Sequence, residues 1–343
     1  MIQAPDASGD VSLSQSTPTL PDRFHTRDDD HVVPFAVEAL DVRGRVVRLG
    51  GELNSILARH DYPEPVSRLL AELITLTLLL GTALKFEGRL IVQAQGDGPI
   101  SLLVADYQTP DGVRAMANFD ETRLSQIDSR NTKPVDLLGK GYLALTVDQG
   151  SHMNRYQGIV EMNGDSLEEM AQAYFLQSEQ IPTVVRLAVA QSISRGDAGS
   201  PTWRSGGLLA QYLPKDGSKV PNRDLHPGDD PSASVSDREA DGVSDNWTQA
   251  EVLVRTTEAD ELVDPQLGSD RLLFRLFHEM GVRVFEGSPI SDRCTCSSER
   301  VSATVKTFAE QPDPESLVNG AIEVTCQFCS KQYRFDPETL EEL

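Results

Sequence analysis

All four cysteines of the chain fall in its last 50 residues, as Cys294-x-Cys296 and Cys326-x-x-Cys329 with 29 residues between the pairs. Each pair offers two sulfurs from one tight turn, and the chain between them has to loop back for the four to meet. That is what a tetrahedral thiolate site requires. The looping stretch, residues 297–320, is polar. A module of this size, residues 290–343, is too small to hold itself together by burial alone, which seldom suffices below roughly 70–80 residues. Metal binding is therefore expected to supply its folding energy, typically on the order of 10–16 kcal/mol for a structural zinc ion. Four soft thiolates with no histidine nearby suit one Zn2+, and Cys294, Cys296, Cys326 and Cys329 are the candidate ligands. An iron–sulfur cluster and a purely structural zinc ribbon are the alternatives that spacing alone leaves open.

The thiols also suggest a switch. Oxidising them would forfeit the metal's contribution and melt the module. Cysteines two apart form a disulfide only at the edge of comfortable geometry, and strained disulfides are the labile, regulatory kind. No basic start or apolar core marks residues 1–22 as a secretory leader, so a reducing cytoplasmic setting is expected, where permanent disulfides are rare.

Upstream, the chain changes texture several times. Residues 1–33 are rich in Ser, Thr, Pro and Asp, a composition expected to stay disordered. From Pro34 to about Leu213 the pattern predicts a mixed α/β domain with mainly antiparallel strands, giving an α+β fold class for the whole. A hairpin is expected around Arg43-Gly44, followed by two helices. The second of these spans the apolar run Leu69–Leu84 and is apolar on most faces. Glu72 and three threonines within the run argue for a buried helix over a membrane span. Strands are expected over 89–95, 100–107, 112–119, 141–149, 155–162, 183–193 and 206–213, with a helix over 166–178. Turn residues at Gly96–Pro99 and Thr109–Gly112 part the second strand from its neighbours.

Residues 214–247 carry eight acidic side chains among Gly, Pro and Ser and read as a flexible insertion. A helical linker over 248–289 follows. It comprises a helix capped at Thr248 with Glu251 three residues on, and a second, 269–281, that places Leu272, Leu273, Leu276, Phe277 and Met280 on one face and stops at Gly281. This stripe is expected to pack on the preceding domain at rest and to become a sticky, client-binding surface if released.

Other function classes fit poorly. A net charge of −22 repels phosphate backbones and anionic lipid, so neither nucleic acid nor membrane is an expected partner. A nucleic-acid-binding ribbon would draw on Lys331, Tyr333 and Arg334, but Glu299, Glu310, Asp313, Glu315 and Glu323 surround them. The six histidines form no ligand or triad spacing, and Gly139-Lys140-Gly141 lacks the rest of a phosphate-binding loop. No enzyme activity is expected.

The segments CTCSSERV and GAIEVTCQFCSKQYRFD, with QAQGDGPISLLVADY, GKGYLALTVDQG and RLLFRLFHEMGVRVFE upstream, resemble the bacterial 33-kDa chaperonin family of redox-regulated heat-shock holdases. The likeness runs from Pro34 to Asp336. It implies a reduced, inactive state in which the four cysteines hold one zinc ion. Oxidation would then expel the metal, pair Cys294 with Cys296 and Cys326 with Cys329, unfold the module and adjoining linker, and expose a surface for unfolding client proteins without ATP. It also implies a homodimer when oxidised. The N-terminal extension and the acidic insertion look longer than the family's usual form.

Overall fold

A helix that is apolar on most faces needs walls on two sides, and the chain builds them from two antiparallel sheets. The computed structural model describes residues 29–83, 87–127, 132–150, 155–162, 164–192, 202–213, 245–308, 317–318 and 321–336. Most of the expected disordered extension and of the acidic insertion lies outside them. In chain order the strands and main helices of the large domain are β1 (His31–Val37), β2 (Val42–Leu49), α1 (Gly51–Leu57), α2 (Glu64–Gly81), β3 (Arg89–Gly96), β4 (Ile100–Gln108) and β5 (Gly112–Phe119). Short α3 (Glu121–Leu124) and α4 (Pro134–Leu138) precede β6 (Gly141–Asp148) and β7 (Tyr156–Glu161); α5 (Leu167–Tyr174), β8 (Thr183–Ser192) and β9 (Thr202–Tyr212) complete the domain. The linker holds α6 (Asp245–Arg255), α7 (Ala259–Val263), α8 (Ser269–Phe277), β10 (Arg283–Val284) and β11 (Ser288–Pro289). The C-terminal module contributes β12 (Ser291–Asp292), α9 (Ser298–Phe308), β13 (Leu317–Val318), β14 (Ala321–Thr325) and β15 (Gln332–Phe335).

The first sheet runs β10-β1-β2-β9-β8, with β11 also on β1, and the second runs β12-β5-β4-β3-β6-β7. The second is thus built largely from a continuous stretch inserted between the two halves of the first. Among the described residues every pairing is antiparallel except β12 on β5. Helix α2 lies between the sheets with Leu69, Leu70, Leu73, Ile74, Leu76 and Leu78 at most 2% exposed. Its interior threonines stay satisfied: Thr77 donates to the Leu73 carbonyl at 2.7 Å, and Thr75 donates to the Ala71 carbonyl and shares a hydrogen bond with Ser205 Oγ, both at 2.8 Å. At 18 residues α2 is the longest described helix, and none is long and apolar enough to cross a membrane.

The first sheet is apolar on both faces because its side chains alternate between two cores. Val47, Val185 and Leu209 point into the core around α2, whereas their neighbours Val46, Val184 and Leu208 point into a second core. That second core is closed by the linker, through Trp247, Ala250, Val254, Leu262 and the α8 stripe.

Several expectations shift. Strand β1 starts at His31, so residues 31–33, expected to be disordered, pair with Arg48, Val47 and Val46. The hairpin turns at Glu38–Asp41, where Asp41 takes φ 54°, and Arg43-Gly44 lies inside β2. Gly44 is needed there by close approach, since a Cβ would sit 2.3 Å from the Phe35 ring and from the Leu209 carbonyl oxygen. Helix α6 starts at Asp245, which puts Thr248 inside it, and the expected single helix breaks at Thr256-Thr257 into α6 and α7; the capping box is Glu258 with Glu261. The second linker helix ends at Phe277 with His278 as its C-cap, short of the expected stop at Gly281; the turn that follows reaches Gly281, which takes the left-handed φ of +76°.

Candidate metal centre and the linker it adjoins

The second cysteine pair sits on a reverse turn between β14 and β15. The Cys326 amide donates to the Lys331 carbonyl at 2.9 Å and the Ser330 amide to the Cys326 carbonyl at 2.8 Å, with Ser330 at φ 57°. This turns both sulfurs the same way. The first pair follows β12, whose pairing with β5 (Ser291↔Gly112, Asp292↔Val113) fixes where Cys294 emerges. The four Sγ atoms meet within 4.8 Å of one another. Cys294 lies 3.8 Å from Cys326 and Cys296 3.4 Å from Cys329. A tetrahedron with metal–sulfur bonds of about 2.3 Å has sulfur–sulfur edges near 3.8 Å, whereas a disulfide requires about 2.05 Å. All four thiols are free. The donor set and its spacing fit a zinc ion.

The sulfurs are not equivalent. Burial opposes ionisation of Cys296, but hydrogen bonds from Tyr333 Oη, at 3.1 Å, and from the other cysteine thiols outweigh it and bring the thiol down to about 7. Burial pushes Cys294 up, and burial together with hydrogen bonds donated to the other sulfurs pushes Cys329 up to about 12. Ionisation is thus favoured at Cys296 and opposed at Cys294 and Cys329.

The module is docked on the large domain. His60, just after α1, contacts the Phe328 carbonyl through Nε2 at 3.2 Å, and Ser330 Oγ donates to the Arg59 carbonyl at 3.2 Å. Arg59 pairs with Asp292, whose amide donates to Glu52 Oε2 at 2.6 Å. Tyr333 is 7% exposed with its hydroxyl committed to Cys296, so the aromatic that a nucleic-acid ribbon would stack on a base is taken up by the cysteine site.

The linker stripe is buried, not presented. Leu272, Leu273 and Phe277 are fully buried, Leu276 is 4% exposed, and Met280 packs partly buried against the same cluster. Phe277 stacks on Phe35 of β1 with ring centres 5.7 Å apart. Three arginines of the first sheet, not singled out by sequence, pin the linker by its backbone. Arg48, 3% exposed, donates to the carbonyls of Glu261 and Asp264. Arg204 donates to the Val263 carbonyl at 2.9 Å and Arg186 to that of Thr257 at 3.2 Å. All four carbonyls lie at or just beyond the ends of α6 and α7, where the intrahelical hydrogen-bond ladder runs out. The available signal was an arginine inside an otherwise apolar strand, as in Val46-Val47-Arg48-Leu49.

Comparison with known proteins settles the family. The family described as Hsp33 protein matches residues 30–336. This chain belongs to the Hsp33 family. It is 42% identical over 313 residues to a 33 kDa chaperonin of Caulobacter vibrioides, covering 90% of this chain and 95% of that one. It is 35% identical over 319 residues to one from Pseudomonas putida, covering 92% and 94%. The fold matches the crystal structure of a 33 kDa chaperonin, a heat shock protein 33 homolog, from Thermotoga maritima, with a TM-score of 0.67 and 20% identity over 91% of this chain and 97% of that one. Hsp33 membership makes this chain one of a chaperone family, and the α+β architecture is the Hsp33 fold.

Proposed function

We propose that the protein is an ATP-independent holdase whose client-binding surface is locked by the metal–thiolate state of its C-terminal module and freed by oxidation. One observation carries it: the four sulfurs converge in a small module whose chain connection to the large domain is the linker that covers an apolar face of the first sheet. A bound zinc ion would neutralise thiolate charge and tie the two cysteine loops together. The donors would be Cys294, Cys296, Cys326 and Cys329.

Under peroxide each pair of thiolates gives up two electrons. An S–S bond forms, the O–O bond breaks, and with two protons taken up two waters leave. Sulfurs that hold the metal are thiolates, and the thiolate is the nucleophile. The pairs proposed are Cys294–Cys296 and Cys326–Cys329, the partners closest in sequence once the module loosens. A disulfide-bonded module has lost its metal donors and, being small and polar, its fold.

Release then spreads to the linker. Its docking is weaker than its apolar area suggests, because Thr257 Oγ1 and Ser269 Oγ are buried without a hydrogen-bond partner among the described residues, each at a cost of about 1–3 kcal/mol. Undocking uncovers Phe35, Val37, Val42, Val46, Val184 and Leu208 together with the α8 stripe. A surface of that size takes unfolding polypeptides, or a second copy in an oxidised homodimer. The net charge of −22 keeps such complexes soluble. A reducing cytoplasm would maintain the resting state until oxidative stress.

The test is light scattering of a heat-denaturing client with protein pretreated by peroxide or by a reductant. Metal release is followed with a chromophoric chelator, and the disulfides by peptide mapping. Protection by the oxidised form alone, with one zinc released, is expected. Equal protection by both forms overturns the switch, and cross-pairs such as Cys294–Cys326 overturn the pairing.

A further inference from the structure

The outer face of the second sheet carries a buried charge cluster that the core does not need. Asp106 on β4 is 3% exposed, and its Oδ2 receives Arg89 Nη2 from β3 at 2.8 Å and Arg114 Nη2 from β5 at 2.7 Å. Arg114 stands directly opposite Asp106 in the β4–β5 register. The other carboxylate oxygen, Oδ1, is buried with no hydrogen-bond partner among the described residues, and the two arginines hold the carboxylate through Oδ2. Both arginines reach past it into the C-terminal module. Arg89 donates to Thr295 Oγ1 at 3.2 Å. Arg114 Nη1 lies 3.7 Å from Cys294 Sγ, and its guanidinium sits 4.1 Å from the centre of the Phe328 ring. Thr295 lies between the first two cysteines and Phe328 between the last two, so Arg114 touches both cysteine loops at once.

We propose that Arg114 is a positioning residue that latches the module to the second sheet and reads the charge of its sulfurs. It would hold the module while they are thiolates and let it go once they are disulfides. Four thiolates around a divalent ion leave two net negative charges, and two arginines with one aspartate leave one positive charge facing them. The attraction operates at contact distance in a partly dehydrated interface, where charge-assisted contacts are strongest. A disulfide sulfur is neutral and a weak acceptor. After oxidation the pull of sulfur charge on the guanidinium is gone and only the Phe328 ring contact is left to it, while Asp106 still holds it on the sheet. The planar Arg side chain is needed for both contacts, because Lys cannot stack on Phe328 and pair with Asp106 and sulfur together.

The latch rests on the proposed redox reading, and the experiment separates the two. Full-length, metal-loaded protein is compared as parent, Arg114→Gln and Arg114→Lys. Zinc release under a fixed peroxide dose and amide hydrogen exchange over residues 291–296 and 324–333 are measured before and after oxidation. Arg114→Gln should release zinc about fivefold faster or more and show faster exchange in those segments while reduced. Arg114→Lys should fall between, and exchange of all three should coincide once oxidised. Unchanged β3 and β6 amides show that the sheet is intact. A parent that holds and releases zinc beside an Arg114→Gln that does the same at the same rate refutes the latch alone. An equal increase in exchange before and after oxidation refutes it too, by making Arg114 a packing residue only. A parent that holds no zinc removes both the latch and the switch.

Discussion

Phe277→Ala tests the lock where the structure makes it tightest. The ring is fully buried, stacks on Phe35, and belongs to the cluster shared by α8 and the first sheet. Truncating a buried phenylalanine costs about 3–5 kcal/mol, the transfer term plus the cavity left behind. The large domain keeps its own core around α2, so this loss falls on linker docking. The released fraction should then rise by roughly two to three and a half orders of magnitude, at about 1.4 kcal/mol per decade. Exchange of the α8 amides in the reduced, metal-loaded protein should accelerate by about a hundredfold or more, as expected of a sub-global opening. Amides of β3 to β6 should keep their protection. The same reduced variant should suppress client aggregation measurably without peroxide. Parent-like exchange across α8, or acceleration spread equally over β3 to β6, would refute the claim that this contact holds the linker separately from the domain.

Three further outcomes are expected. Cys326→Ser removes one of four donors and, in reduced protein, should lower zinc content and loosen residues 321–336, read by metal analysis and amide exchange. In metal-free reduced protein, Tyr333→Phe deletes the hydroxyl that supports the Cys296 thiolate, so the titration near 7 should move to higher pH and Cys296 should alkylate more slowly at pH 7. Glu72 in α2 is raised to about 7 by burial and then by the neighbouring Glu168 carboxylate. A carboxyl whose folded pKa exceeds its unfolded value costs nothing below the unfolded pKa, and its penalty grows as pH rises toward the folded one, reaching roughly 3 kcal/mol near pH 7 and above. Glu72→Gln should therefore raise the melting temperature at pH 7.5 and leave it nearly unchanged at pH 4.5; equal shifts at both would refute the assignment.

Local chemistry explains what was legible in the chain. Period-two and period-3.6 patterns placed the strands from β3 to β9, the central helix and the stripe Leu272–Phe277, because each depends on near neighbours. The cysteine spacing identified a four-sulfur site for a similar reason, since two tight turns present their donors whatever the surroundings. Legibility failed where distant segments decide. Residues 31–33 become a strand because β2 supplies partners, and Gly44 sits mid-strand because the Phe35 ring needs its space. Thr248 is interior to α6, since packing of Trp247 rewards an earlier start to the helix.

By itself the sequence determined which segments are apolar, which residues carry sulfur, and that the terminal module needs more than burial to fold. Only the tertiary structure decided which face of the preceding domain the linker stripe covers, and that the sheet beneath it is apolar on both faces. It also placed Arg48 and Arg204 on the linker's backbone carbonyls and Arg114 against Cys294. The physical reason is range. Propensity, alternation and chelate spacing act over a few residues, whereas burial and ion pairing join groups that meet only after the chain has folded, as Arg114 and Cys294 do across 180 positions.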